Sequence, residues 1–435
     1  MIKYFPRPYP DELLYSVIAR FQRHFGNSQS ELIRSLWGKT KYPFRGYQVN
    51  RLQKLLDNTL LGQCYSAKQL AFQHTLWPFF SAFSGRDVQN TMFHNMIVDV
   101  AKNTTGFIGS HLSNIGRKKS LQFCPECMKA DIESYGEPYW HRIHQAPGVL
   151  ICPWHEIVLR NTCPMCGIPI LSQGMQYACL DACCVNGHDL SLSEPKVNNI
   201  AKKTLEHLIS YAHEVYKLLL TDCCYEPQAI SQRYIIKLRE LGFVGLKGHL
   251  INPGNFTASF IEYFGNEFLN LLESHVDTNI TSWLRIMIWR DGYKRLYHPL
   301  RHLLLIKYLF GSLESFNISD TEYLPFGKGP WPCLNPVASH YRMLVINDCY
   351  IYQGSFKKTH GIFTCECGYI YSRVGPDKTN DDRYRVGNVI SYGSVWEDAL
   401  NNLVNSGKFT MKEIELKMKV SRMTLIKYIN KRKRE

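Results

Sequence analysis

The chain has 435 residues, of which 45% are hydrophobic, 13% aromatic and 20% charged. That length leads one to expect about two to four domains, and so few charges among so many aromatics exclude a largely disordered chain. A net charge of +14 points to anionic partners, nucleic acid first among them.

The N-terminus, MIKYFPRPYPDELL, has no apolar core of the kind a secretory signal needs. Asp11 reads as an N-cap, with Leu13, Leu14, Val17, Ile18, Phe21 and Phe25 at helical spacing until Gly26 stops the run. A second helix is expected at 30–37, and Ser66 with Gln69 forms the pattern of a capping box for another through HTLWPFF. Residues 1–115 thus read as an N-terminal helical domain, either helix-turn-helix-like or an ordinary helical hairpin. Residues 116–195 change character: Cys, His, Pro and Gly dominate, as in small modules that need metal to fold.

Helical periodicity returns over 196–320, in NNIAKKTLEHLISYAHEVYKLLL, SQRYIIKLRELGF, NFTASFIEYFG, SWLRIMIWR and HPLRHLLLIKYLF. The second and third of these form a pair of the size of a DNA-reading unit. HPLRHLLLIKYLFGSL at 298–313 is the most apolar stretch, yet it is too short and too charged to span a bilayer, so no membrane partner is expected and the location reads as cytoplasmic. Residues 321–378 break the pattern with PFGKGPWPCLNP and continue as strands and turns, with HGIFTCECGYIYSR as a hairpin knuckle. Residues 379–435 end in a basic helix-turn-helix with nine Lys/Arg and three Glu from 411 onward. The fold class is therefore mainly α with small zinc-stapled β/turn modules. It is multidomain, with several helix-turn-helix-like units and two to three zinc knuckles.

In a cytosolic chain, 15 cysteines read as metal ligands before disulfides. Cys124, Cys127, Cys152 and His155 give C-x-x-C followed by C-x-x-H, two close pairs that together supply the four N/S ligands of a tetrahedral zinc site. A redox C-x-x-C would sit at a helix N-terminus in a βαβ setting, which the surrounding pattern lacks. His141 and His144 lie inside the excursion, as packing neighbours of Trp140 or as rival ligands. Cys163 and Cys166 open a second site. Cys179 and Cys184 are the preferred distal pair, with His188 and Cys183 as alternatives. Cys333, His340, Cys365 and Cys367 make a third, with Cys349 competing. All three read as closed and structural, with Zn2+ as the cofactor. No phosphate-binding loop, H-E-x-x-H or G-x-S-x-G motif is present. No catalytic residue is therefore assigned, although scattered carboxylates leave a nuclease site open.

FPRPYPDELLYSVIARF, HTLWPFFSAF and FCPECMKADIESYGEPYWHRIHQAPGVLICPWH resemble the TnsD/TniQ family, target-site selection proteins of bacterial transposons related to the Tn-seven group. YIIKLRELGF, WLRIMIWR, GPWPCLNP and FTCECGYIYSR extend the likeness over nearly the whole chain, in the manner of the longer TnsD branch. The resemblance implies a DNA-binding protein rather than an enzyme. It implies recognition of a chromosomal attachment site as double-stranded DNA, in a bacterial, nucleoid-associated setting. It also implies recruitment of a TnsC-type AAA+ ATPase and, through it, the transposase subunits. The family's zinc ligands fall on Cys124, Cys127, Cys152 and His155.

In the C-terminal unit, Met411–Lys419 is the expected first helix and Ser421 the cap of a recognition helix through Asn430. Ser421, Arg422, Thr424 and Lys427 are expected to face the groove, and Lys431, Arg432, Lys433 and Arg434 the phosphates. Two other readings stay open: a TniQ-type adaptor of an RNA-guided CRISPR-associated transposon, and a zinc-containing nuclease or transposase.

Overall fold

The structure, a computed structural model, describes residues 2–26, 28–38, 51–98, 115, 120–171, 178–192, 200–277, 282–289, 294–354 and 358–432. The chain forms two compact units, Met1–Tyr234 with Pro253–Ser319, and Ile235–Asn252 with Asp320–Glu435.

The first unit begins with helices α1 (Leu14–Phe25), α2 (Gln29–Trp37), α3 (Leu52–Asn58), α4 (Leu61–Cys64), α5 (Ala67–His74), α6 (Trp77–Ser81) and α7 (Arg86–Ile97). Capping boxes start α2, with Ser28 and Glu31, and α5, with Ser66 and Gln69. Asp11 does not cap α1, which starts after Leu13 with no side-chain cap. Its carboxylate instead accepts from Arg142 Nε and the Ile143 N–H, both at 3.0 Å. The apolar face of α1 is buried in a core shared with the cysteine-rich segment, where Leu14, Val17, Ile18 and Phe21 join Trp140, Cys163, Leu180 and Leu190.

Trp140 is fully buried and lies in that core. Its backbone N–H donates to Ser16 Oγ, its indole N–H to the Ala178 carbonyl, and its carbonyl accepts the Leu13 N–H. The segments expected as separate domains at 1–115 and 116–195 thus share one core.

Helix α8 (Pro125–Tyr135) carries the first knuckle, and α9 (Lys202–Leu220) packs beside it, its Tyr211 hydroxyl donating to the Pro147 carbonyl. The unit continues with α10 (Pro227–Glu240) as far as Tyr234, and with α11 (Pro253–Phe264), α12 (Asn266–Leu271), α13 (Trp283–Met287), α14 (Pro299–Phe310) and α15 (Leu313–Asn317). Nine of the twelve residues of α14 are buried, which accounts for its apolar sequence as core. No described helix is long and apolar enough to cross a membrane.

The expected helix–turn–helix of α10 and α11 is interrupted by a small hairpin with a Val244–Leu250 bridge. The hairpin lies wholly in the second unit, whose segment 235–252 starts inside α10 and ends just before α11. Gly245 approaches Gln353, and Arg239 lies 5.7 Å from the Tyr323 ring centroid. The stretch expected as one region at 196–320 is therefore shared between units.

The second unit contains β1 (Trp331–Pro332), β2 (Leu344–Ile346), β3 (Cys349–Gln353), β4 (Thr359–Thr364), β5 (Ile370–Gly375) and β6 (Asn388–Ser391). Strands β1 and β2 pair with each other, and β3–β6 form an antiparallel meander in sequence order. β6 carries this module past 378, the boundary expected from composition. Three helices follow, α16 (Gly393–Asn405), α17 (Met411–Met418) and α18 (Arg422–Arg432), closed around Trp396, Leu400, Ile414, Met418 and Leu425.

Candidate metal centres and the C-terminal helices

Four of the ligand pairs are built on one local device. In Cys152–Ile157, the Cys152 N–H donates to the Ile157 carbonyl and the Glu156 N–H to the Cys152 carbonyl. Cys163–Ile168 repeats it, with Gly167 in place of Glu156. So does Cys365–Tyr369 with Gly368, and the same bonds link Cys184, Gly187 and His188. The donor to the first cysteine's carbonyl has positive φ in every copy: Glu156 56°, Gly167 70°, Gly187 79° and Gly368 83°. This is the left-handed position that glycine fills without steric cost. The tandem CPWHEI and CPMCGI loops are thus a short internal repeat that the unequal ligands conceal in the sequence.

Three groups of side chains converge: Cys124, Cys127, Cys152 and His155; Cys163, Cys166, Cys184 and His188; and Cys333, His340, Cys365 and Cys367. Within each, all ligand atoms lie within 4.8 Å of one another. A tetrahedral ion with bonds of ~2.3 Å to sulfur and ~2.0–2.1 Å to nitrogen sets S···S edges near ~3.8 Å and S···N edges near ~3.6 Å.

In the first centre, Cys127 and Cys152 are 3.6 Å apart, and His155 Nδ1 lies 3.6, 3.3 and 3.6 Å from Cys124, Cys127 and Cys152. In the second, Cys166–Cys184 is 3.8 Å, and His188 Nδ1 lies 3.8 Å from Cys163 and 3.5 Å from Cys184. In the third, Cys333–Cys367 is 3.7 Å and His340 Nε2–Cys365 is 3.3 Å. These sulfur separations exceed a disulfide bond of ~2.05 Å by far, and all the cysteines are free thiols. Each centre therefore could hold one metal ion.

The distal ligands of the second centre differ from the expected pair. Cys184 converges there, but His188 takes the place of Cys179. The backbone around Cys179 is tied to the N-terminal helices, because Ala178 accepts from Trp140 Nε1 and donates to the Tyr15 hydroxyl. Cys179 packs against that core, and burial pushes its thiol up to about 11. The knuckle turn, by contrast, delivers Cys184 and His188 to one side. Cys183 is exposed and outside this group, and the half-buried Cys349, a residue of β3, is outside the third.

Hydrogen bonding favours the thiolate at one cysteine of the second centre and one of the third. Against the upward push of desolvation, the backbone N–H groups of Cys166 and Met165 bring Cys163 down to about 6. In the third centre desolvation is likewise outweighed: the buried Asn335 amide, donating to Cys367 at 3.5 Å, and the Tyr369 backbone bring Cys367 to about 7. Around the first centre, His141 is committed to Asp131 at 2.9 Å, while His144 Nε2 lies 3.9 Å from Cys127. The knuckle tip Trp154 meets both rings edge-on.

Beside this centre is an open cavity of about 630 Å³ walled by Tyr9, Tyr65, Tyr139, Trp154 and Tyr216. Of its carboxylates, Asp11 is ion-paired with Arg142 and Asp131 is hydrogen-bonded to His141.

The last two helices form a helix-turn-helix. Thr410 and Glu413 make a capping box at α17, and Lys419 at φ 50° ends that helix. Ser421 caps α18 through the Thr424 N–H. Thr424, expected to face the groove, is half-buried, and its hydroxyl pairs with Ser421 at 3.1 Å. The outward arc of α18 carries Arg422, Met423, Ile426, Lys427 and Asn430, opposite the buried Leu425. Met423, Ile426 and Asn430 escaped the sequence reading, which followed charge and missed exposed apolar residues. Lys431 and Arg432 belong to α18, whereas Lys433 and Arg434 lie outside the described residues.

Three cysteine–histidine clusters that could each hold a metal ion, with a terminal helix-turn-helix, define a mainly helical protein with small antiparallel sheets. The family model described as Tn7-like transposition protein D matches residues 211–435, and the TniQ model matches residues 3–159. The chain belongs to the TnsD/TniQ family. It is similar to the transposon Tn7 transposition protein TnsD of Escherichia coli, with 27% identity over 152 residues. That match covers 35% of this chain and 30% of the relative's own length.

Proposed function

We propose that the protein is a sequence-specific, double-stranded-DNA-binding selector of target sites for Tn7-like transposition. It acts without catalysis of its own and recruits a TnsC-type AAA+ ATPase, and through that the transposase subunits. The observation that carries this reading is the α17–α18 helix-turn-helix, whose second helix presents Arg422, Met423, Ile426, Lys427 and Asn430 on one exposed arc. Such a helix fits the major groove, where Arg and Asn pair with base edges and apolar side chains meet thymine methyls. Lys431 and the basic residues after it then serve the phosphates. Chromosomal DNA as the target implies action in the bacterial cytoplasm, at the nucleoid.

The metal at the three centres is proposed to be Zn2+, which suits closed Cys/His tetrahedra. Bound there, it would supply folding energy and cross-links rather than a reactive water. Among the described residues, no converging group includes a carboxylate, and the carboxylates of the cavity are paired. Both facts support a non-catalytic role over a nuclease or transposase. The transposition protein D match over 211–435, beyond the TniQ match alone, favours direct DNA reading over an RNA-guided adaptor.

Footprinting of the purified chain over fragments of the host chromosome tests the proposal. A discrete protected site without added RNA is expected. Uniform coverage at moderate salt, or a requirement for guide RNA, would overturn it.

A further inference from the structure

The C-terminal helices rest on the third centre through the immediate neighbours of its ligands. Gly368 follows Cys367, and Gly393 opens α16. A Cβ on Gly393 would stand 2.3 Å from the Gly368 carbonyl carbon, and one on Gly368 would stand 2.9 Å from Gly393 Cα. Both residues have positive φ, 83° and 76°. The two backbones therefore touch at a point where neither can carry a side chain.

A second link runs through Asn335, which is fully buried. Its amide donates to Cys367 Sγ at 3.5 Å, and its Oδ1 accepts the Val337 N–H at 3.3 Å. Val337 packs against the Trp396 cluster. The third link starts at Tyr341, next to His340. Lys419 Nζ donates to the Tyr341 hydroxyl at 2.9 Å and sits 4.7 Å from its ring centroid. Lys419 is the left-handed residue that ends α17, in the turn before α18.

The four ligands come from two segments, 333–340 and 365–367, which an ion would cross-link. The α16–α18 cluster, in contrast, has a core of its own. We propose that metal binding at the third centre positions the C-terminal helix-turn-helix: loss of that one ion releases α16–α18 from the β3–β6 module and weakens DNA contact, while the three helices and the other two centres stay folded. The effect on DNA rests on the function proposed above, and the positioning does not.

The test uses the full chain with zinc, comparing Cys367→Ser, which removes a ligand, and Gly393→Ala, which keeps all ligands but forces α16 away. Metal content, peptide-resolved hydrogen exchange and affinity for a mixed-sequence DNA duplex are measured. Gly393→Ala is expected to keep wild-type metal content, yet to exchange about tenfold or more faster around 393–396 and 419–421, with DNA affinity about tenfold weaker. Cys367→Ser should do the same with one ion fewer. Wild-type exchange at these segments in either variant overturns the inference, as does exchange at unfolded rates throughout α16–α18. If the wild-type chain binds no DNA, the functional reading fails while exchange still decides the positioning.

Discussion

Asp11 and Arg142 are joined twice, by the Asp11 Oδ1–Arg142 Nε contact at 3.0 Å and by the Arg142 N–H donating to the Asp11 carbonyl at 2.7 Å. The pair locks the N-terminal PYPDELL segment onto the YWHRIH segment of the cysteine-rich region. Both side chains are nearly buried, at 10% and 3% exposure. Arg142 also donates to the Phe72 and Thr75 carbonyls. Removing one partner of such a pair leaves an uncompensated buried charge. Asp11→Ala is therefore expected to lose about 3–5 kcal/mol of stability, measured by urea unfolding. A loss under ~1 kcal/mol, the range of exposed pairs, would contradict this account.

Metal counting separates the second centre's ligands from its bystanders. His188→Ala should lower the zinc content by one ion per chain, because it removes a corner at 3.5–3.8 Å from two sulfurs. Cys179→Ser should leave the content unchanged, since its thiol lies outside the converging group. Elemental analysis of the two variants decides, and the reverse pattern would restore Cys179 as the ligand.

Much of this site was legible because knuckles are local. C-x-x-C and C-x-x-H fix two ligands within one turn, and the first and third clusters converge as the spacing implied. The second cluster offered four distal candidates, and only tertiary packing told them apart: Ala178 is pulled to Trp140, which turns Cys179 away. The role of Asp11 was hidden for the same reason, since its partner stands far along the chain. The helix start at Ser66 was readable, because its capping depends on a residue three places on, Gln69. The hairpin at 244–250 was not, because its glycines read equally well as a plain interhelical turn.

Three buried histidines predict acid sensitivity in the first unit. Burial lowers His74 to about 4, and burial with Arg301 and His302 nearby lowers His298 to about 3. Burial alone lowers His302 to about 3. Their folded values lie below the unfolded value of ~6.5, so the unfolded state binds more protons as pH falls. Their contribution is complete above ~6.5 and is lost toward the folded values, at up to about 1.4 kcal/mol per group per pH unit. His302→Phe keeps a ring against Phe83, whose stacking distance is 4.6 Å. Urea midpoints between pH ~5 and ~6.5 should fall less steeply for this variant, and parallel slopes would exclude His302 as a contributor.

The first knuckle carries Glu156 at φ 56°, where the other three have glycine. A non-glycine residue in this conformation costs about 1–2 kcal/mol, partly offset by the greater unfolded-state freedom of glycine. Glu156→Gly is thus expected to raise stability by about 0.5–1 kcal/mol with metal content unchanged. A thermal shift downward would show that Glu156 makes a contact stronger than the strain it bears.

The exposed arc of α18 predicts a division of labour in DNA binding. Lys427 offers a cation to the backbone, so Lys427→Ala should weaken all sequences alike and reduce the salt slope by about one unit. Ile426 and Met423 offer apolar surface without charge. If they meet thymine methyls, Ile426→Ala should leave the salt slope intact while lowering discrimination at one or two positions by about 1–3 kcal/mol. Binding-site selection with the two variants separates these effects. Equal loss on every sequence from Ile426→Ala would move α18 out of the groove and mark its apolar arc as a protein-binding face.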